Sequence, residues 1–198
     1  MNVHRVYKYA HAGSIRLPHN RFDGRSAAAG YLMARTAFLV ARQEAKERGS
    51  IDAVILVWDA DDQGDARRDG LDQARTIARL DEQFRVVLGC PDMEREAWVL
   101  AGFEPDHETE QQRLDEERRG LGFCPSAEAH RLRDNDDNAL RSPKRALAAL
   151  TAGDSSREER CWTEAPLDRL EQRGGSSGLK AFLDDVGREL VPMFSSAR

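Results

Sequence analysis

Along residues 27–48 (AAAGYLMARTAFLVARQEAKER) apolar side chains recur every three or four positions, the period of one helix face, and Gly49-Ser50 closes the segment. Residues 53–58 (AVILVW) then form a short continuous apolar run rich in branched side chains, the pattern of a strand covered on both faces, as in parallel sheets. The run stops abruptly at Asp59-Ala60-Asp61-Asp62. Residues 64–80 predict a polar-faced helix with Leu71, Ala74, Ile77 and Ala78 as its inward stripe, and residues 84–88 (FRVVL) predict a second buried strand. Strand, helix and strand in this order imply a right-handed parallel crossover. After Gly89-Cys90-Pro91, residues 93–100 (MEREAWVL) start another helix, so two acidic turns are expected at carboxyl ends of strands.

Upstream, residues 3–9 (VHRVYKY) alternate and predict a further strand, while residues 11–23 read as an irregular connection. Beyond Gly102 the pattern is helical and polar, with helices expected over 107–119, 143–150, 156–172 and 179–194. Residues 173–178 (RGGSSG) read as a flexible joint and 133–138 (RDNDDN) as a solvated loop. The expected architecture is therefore α/β: a mostly parallel sheet flanked by helices in residues 1–104, and a helical extension in residues 105–198.

Composition narrows the function classes. The chain has 198 residues, 40% hydrophobic and 33% charged, which suits a folded protein and not a disordered one. Its 35 acids outnumber 30 bases for a net charge of -5, with both signs interspersed, so any phosphate recognition must be local. Three cysteines, Cys90, Cys124 and Cys161, lie far apart without a CxxC pair, which supports neither a zinc ribbon nor a disulfide scaffold and fits a reducing compartment. The start lacks an apolar stretch of signal-peptide length, and no run approaches the ~20 apolar residues that span a bilayer. A soluble, cytoplasmic protein without a membrane partner is the expectation.

Two acidic groups are the candidates for chemistry. Asp59 and Asp61, two apart on a turn leaving a buried strand, have the spacing to converge on one hard cation through oxygen ligands. The bland alternative is that Asp62 or Asp65 caps the next helix. Glu94 and Glu96 stand at the end of the neighbouring expected strand; singly they suit the first turn of a helix, with Asp92 as its N-cap. Together, carboxylates on one sheet edge would repel unless a cation neutralised them, and a pair of Mg²⁺ or Mn²⁺ ions there suits phosphodiester cleavage. Ser142-Pro143-Lys144 adds an N-cap, a first helical residue and a cation beside free backbone N–H groups, an end able to hold a phosphate or to exist simply as a capped helix. None of the five histidines stands in an HExxH or Cys/His arrangement, and Trp98 and Trp162 read as core anchors.

The segments VILVWDADD (54–62) and VVLGCPDMEREAWVLAGF (86–103) resemble the Toprim-like group that includes the RloB-type proteins and related families of bacterial defence islands. In that group an apolar strand ends in DxD and a later strand leads to an acidic, Trp-containing helix. The resemblance implies a Toprim-like (Rossmannoid) sheet and a divalent-metal nuclease acting on DNA or RNA, with Asp59 and Asp61 at the DxD positions and Glu94 and Glu96 at the helix positions. Outside the resemblance, which covers residues 51–103, the Ser142-Pro143-Lys144 helix start adds Lys144 as a candidate phosphate-binding catalytic residue. Toprim domains generally carry a Glu at the end of their first strand, and this chain has none before Glu44; His11 stands roughly in its place. That departure keeps a second expectation open: a non-catalytic partner subunit of a larger defence or DNA-processing complex.

Overall fold

The computed structural model describes residues 5–80 and 84–195. The chain divides into two compact units, residues 1–90 with 184–198 and residues 91–183.

The first unit begins with helix α1 (Val6–Ala12), followed by a short hairpin of β1 (Arg21–Phe22) and β2 (Arg25–Ser26). The expected strand over residues 3–9 is thus corrected to a helix from Val6 onward; Val3 and His4 lie outside the described residues. Val6 and Ala10, four positions apart and so on one helix face, are buried while Lys8 between them is exposed, whereas a strand would turn residues 6, 8 and 10 to the same face. Between β1 and β2, Asp23 and Gly24 both have positive φ (47° and 72°), the conformation of the two-residue turn whose twist matches a hairpin.

Helix α2 (Tyr31–Arg48), strand β3 (Ala53–Val57), helix α3 (Asp65–Arg79) and strand β4 (Arg85–Gly89) follow close to their expected positions. β3 and β4 pair in parallel, with Val54 opposite Val86 and Leu56 opposite Leu88. Tyr31, Phe38, Leu56, Leu71, Ala74 and Val86 form one core with the half-buried Trp58 and Phe84. Burial of each large apolar side chain there contributes about 1.5–3 kcal/mol. Close contact between α3 and the start of α2 depends on Gly70, where a Cβ would lie 1.9 Å from the Ala29 carbonyl oxygen.

The Toprim-like, mostly parallel sheet does not form. The described residues are 58% helix and 7% strand, with two two-stranded sheets and a single parallel pair. The physical reason lies at both ends of the pair: the first apolar segment is helix α1, and the chain after β4 enters a wholly helical unit. β3 is also not covered on both faces, since Ile55 is 53% and Val57 37% exposed. The outer edge of β4 is closed differently. Helix α9 (Leu179–Glu189) carries Asp185, 4% exposed, whose Oδ2 accepts the Leu88 N–H at 2.8 Å and whose two oxygens accept Arg75 Nη1 at 2.9 and 3.0 Å. Arg188 bonds the same carboxylate.

The second unit contains α4 (Glu96–Gly102), α5 (Glu108–Leu121), α6 (Pro143–Thr151), α7 (Ser155–Thr163), α8 (Leu167–Arg173) and the start of α9; α10 (Val191–Ser195) closes the chain in the first unit. The two long helices expected over 156–172 and 179–194 are each broken at a proline, Pro166 before α8 and Pro192 within α10. Leu100, Phe103, Leu121, Phe123, Leu132, Leu147 and Leu150 fill one core. Trp98 is an anchor as expected: 2% exposed, stacked on Phe182 at 5.2 Å, with its indole N–H donating to the Ser177 carbonyl at 2.7 Å. Gly102 lets α4 approach α7, since a Cβ there would stand 1.9 Å from the Cys161 carbonyl oxygen. No helix among the described residues is long and apolar enough to cross a membrane.

A buried ion pair holds α5 to α7. Arg157 donates from Nε to Glu110 Oε1 at 2.9 Å and from Nη2 to Oε2 at 3.1 Å, with side chains 8% and 4% exposed. Glu110 also accepts the N–H of Asp106, the residue before the N-cap, at 2.9 Å, and the His107 ring at the N-cap accepts the Glu110 N–H at 3.3 Å. Burial raises the Glu110 carboxyl, but the Arg157 bonds, the Asp106 N–H and the Arg157 charge more than offset it and hold the group below its ordinary range. A carboxylate depressed in the folded state stabilises above its unfolded pKa and loses that contribution as pH falls through the folded one. Melting temperature followed from pH 7 into the acid range is therefore expected to fall more steeply for the wild type than for Glu110→Gln. At neutral pH the variant should lose about 3 kcal/mol, because buried Arg157 loses its bidentate carboxylate and keeps only Asp106, 3.5 Å away, as a counter-ion.

Candidate functional site

Asp59 and Asp61 leave β3 at its carboxyl end, as expected, on a turn that kinks at once into a 3-10 segment (Asp61–Gln63). Asp61 takes a positive φ of 47°, a region that Asp tolerates better than most side chains. Neither Asp62 nor Asp65 caps α3, whose N-cap is Gly64 without a side-chain bond. Asp59 is half-buried and Asp61 exposed. The cation beside Asp61 belongs to the protein: the Arg67 guanidinium carbon lies 3.9 Å from the centre of the Trp58 ring, and Arg67 sits 3.8 Å from Asp61. The ring contact holds the guanidinium beside Asp61.

Glu94, Glu96 and Lys144 belong to the second unit, whereas Asp59 and Asp61 belong to the first. Glu94 precedes α4 and is 8% exposed; Glu96 is the first residue of that helix. The N-cap position falls on Arg95, so Asp92 does not cap the helix; it pairs instead with Arg133 at 3.0 Å. Lys144 Nζ lies 2.7 Å from Glu94 Oε1 and 3.1 Å from Asp137 Oδ1. Glu94 Oε2 is buried without a hydrogen-bond partner. Glu96 has Arg95 at 3.7 Å.

The chain matches no protein-family model, no curated protein and no solved structure. Its chemistry is therefore read from its own geometry. Among the described residues, no group of three or more His, Cys, Asp or Glu side chains is arranged to hold a metal ion.

The helix end at Ser142 forms as the sequence predicts. Ser142 is the N-cap, its Oγ accepting the Arg145 N–H at 3.3 Å, and Pro143 is the first helical residue. The positive field expected there is used internally: Arg145 bonds Glu117, and Lys144 bonds Glu94 and Asp137. Hydrogen bonds to Glu94 and then Asp137 push the Lys144 ammonium above the ordinary lysine range. Lys144 therefore stays protonated at neutral pH and cannot serve as a general base. It acts as the counter-ion that makes a buried Glu94 tolerable.

Cys161 is held as a neutral thiol. Cys161 is buried, and desolvation raises its thiol, so little thiolate exists at neutral pH. A cavity of about 830 Å³ in the first unit is lined by Asp52, Arg79, Phe84, Arg85, Val86, Glu189 and Met193. Asp52, Phe84 and Arg85 place it at the amino ends of β3 and β4, the end opposite Asp59 and Asp61.

Sequence reasoning missed Asp137 as a member of this group, because it lies in the 133–138 stretch read only as a solvated loop. The signal was present in its seven-residue separation from Lys144, which a folded-back loop can close but periodicity cannot reveal. The Glu94–Lys144 pairing is tested by Lys144→Met and Glu94→Gln, made singly and together. We expect Lys144→Met to destabilise, the added Glu94→Gln to recover part of the loss, and a coupling energy of about 1 kcal/mol, kept modest because Lys144 is half-exposed. Strict additivity in chemical denaturation would show that the two side chains do not interact.

Proposed function

We propose that the protein is a non-catalytic binding component, a partner subunit within a larger protein assembly. The observation that carries this reading is the 2.7 Å contact between Glu94 and Lys144: the best-buried candidate ligand is neutralised by a lysine of its own unit. Asp61 and Arg67, and Glu96 and Arg95, repeat the pattern at 3.8 and 3.7 Å. Carboxylates neutralised in this way need no metal ion, and a cation at Glu94 would meet a carboxylate whose charge Lys144 already balances. A module devoted to nucleic acid is less favoured, because acids outnumber bases along the whole chain.

One atom favours a second reading, Mg²⁺- or Mn²⁺-dependent phosphodiester cleavage. Glu94 Oε2 is buried with no hydrogen-bond donor, and a divalent cation is one way to satisfy it. Both readings are open to the same experiment. Thermal unfolding with millimolar Mg²⁺ or Mn²⁺ is expected to leave the melting temperature unchanged, and supercoiled plasmid and single-stranded RNA are expected to stay intact with the wild type. Metal-dependent cleavage that Asp59→Ala and Glu94→Ala both abolish would replace the first reading with the second.

A further inference from the structure

We infer that the groove between α2 and the residues following α1 is a docking site for an acidic segment of a partner protein, one that presents carboxylates around a single apolar side chain. The inference rests on the partner-subunit reading and names the face and the partner chemistry.

One side of the groove is a stripe of α2. Arg35, Leu39, Arg42 and Lys46 follow at steps of four, three and four residues, so they share one helix face. Gly13, Ser14 and Ile15 stand opposite and enclose, with Leu39, Arg42, Gln43 and Lys46, a hollow of about 310 Å³. That wall is fixed to the end of α1. The Gly13 N–H donates to the Tyr9 carbonyl at 3.0 Å and the Ile15 N–H to the Ala10 carbonyl at 2.9 Å, while Ser14 turns the chain at a φ of 52°. Ile15 and Leu39 give the hollow an aliphatic, half-buried lining; Lys46 is exposed beside them, as is Arg16, which follows Ile15 in the chain.

The charge of this region departs from that of the rest. Residues 1–48 carry nine Lys and Arg against three acids, whereas residues 49–198 carry 21 against 32. Of the three acids, Asp23 lies in the hairpin turn, and Glu44 and Glu47 lie off the stripe, Glu44 paired with Arg48 at 2.8 Å and Glu47 bonded by Gln43. Among the described residues, Arg16, Arg35 and Lys46 have no carboxylate within ion-pairing distance, whereas Arg75, Arg79, Arg145 and Arg157 each do. The matching of arginine with carboxylate stops at this face, which leaves the anions to be supplied by a partner.

The lining selects among anionic partners. Anionic lipid fits poorly, because the apolar faces of α1 and α2 are buried at Val6, Ala10, Ala34 and Phe38 and leave no helix face to insert. Nucleic acid fits poorly as well: among the described residues no aromatic side chain lines the hollow to stack a base, and the net charge of -5 opposes a long polyanion. An acidic peptide segment meets both parts of the lining, its carboxylates on the exposed cations and one apolar side chain on Ile15 and Leu39. Ion pairs at exposed cations are individually weak and screened by salt, so the binding is salt-sensitive.

Fluorescence anisotropy of the full chain with a short fluorescein-labelled peptide of glutamates around one leucine tests the inference. The wild type is expected to bind this probe with an affinity that falls as NaCl is raised. Arg16→Glu with Lys46→Glu should weaken binding at least about tenfold, whereas Arg118→Glu with Arg141→Glu, the same charge change at exposed positions of the second unit, should leave it within about twofold. Replacing the leucine of the probe by alanine should also weaken binding. No binding, binding indifferent to the Arg16 and Lys46 changes, equal binding of the alanine probe, or tighter binding of an oligothymidylate of matching length would overturn the inference. None of these outcomes touches the partner-subunit reading, which falls instead with metal-dependent cleavage.

Discussion

The buried carboxylate of Asp185 is the constraint on which the first unit depends. A parallel pair of five-residue strands offers two edges and two faces, and such a pair does not persist in water unless most of that surface is covered. Helices α2 and α3 cover one face. Asp185 satisfies the edge of β4 by accepting the Leu88 N–H, and its charge is neutralised by Arg75 of α3 and by Arg188 one turn further along α9. Arg79 and Glu189 repeat the α3 to α9 connection one turn on. Residues 184–198 thus belong to the first unit although they are the last in sequence.

The second unit uses the same device without a sheet. Glu110 and Arg157 form a buried bidentate pair, and Arg157 also lies over the Phe103 ring at 4.8 Å. The abundance of both charge signs therefore acquires a structural meaning: acids and arginines are matched within each unit and set which helix faces meet. Buried pairs of this kind contribute specificity more than net stability, since both ions must be desolvated. The same matching extends to the candidate site, where Lys144 and Arg67 stand beside the carboxylates that the sequence offers as metal ligands.

Much of the local structure was legible in the sequence. The apolar spacing in α2, the branched runs of β3 and β4, the stripe of α3 and the Ser142-Pro143 helix start each reflect a physical preference that operates within a few residues. What failed was extrapolation. Two strands joined by a helix say nothing about how many further strands exist, and the alternation in residues 3–9 fits a helical face through Val6 and Ala10 as well as a strand. The continuous apolar run of β3 was read as buried on both faces, yet Ile55 and Val57 face solvent, because periodicity reports hydrophobicity and not the presence of a cover. The Asp23-Gly24 turn and the breaks at Pro166 and Pro192 rest on local residue chemistry that the sequence displays. For the site, the positions of Asp59 and Asp61 after β3 were legible, but the pairing of Glu94 with Lys144 across 50 residues of sequence was not, since it is set by tertiary packing.

Native-state hydrogen exchange at the Leu88 amide tests the edge-capping role of Asp185 most directly. If the carboxylate closes the β4 edge, Leu88 is strongly protected in the wild type. In Asp185→Ala its protection should fall by orders of magnitude more than that of Val87, whose amide lies on the β3 side of the strand. Fast exchange of Leu88 in the wild type, or equal loss of protection at both amides, would contradict the account.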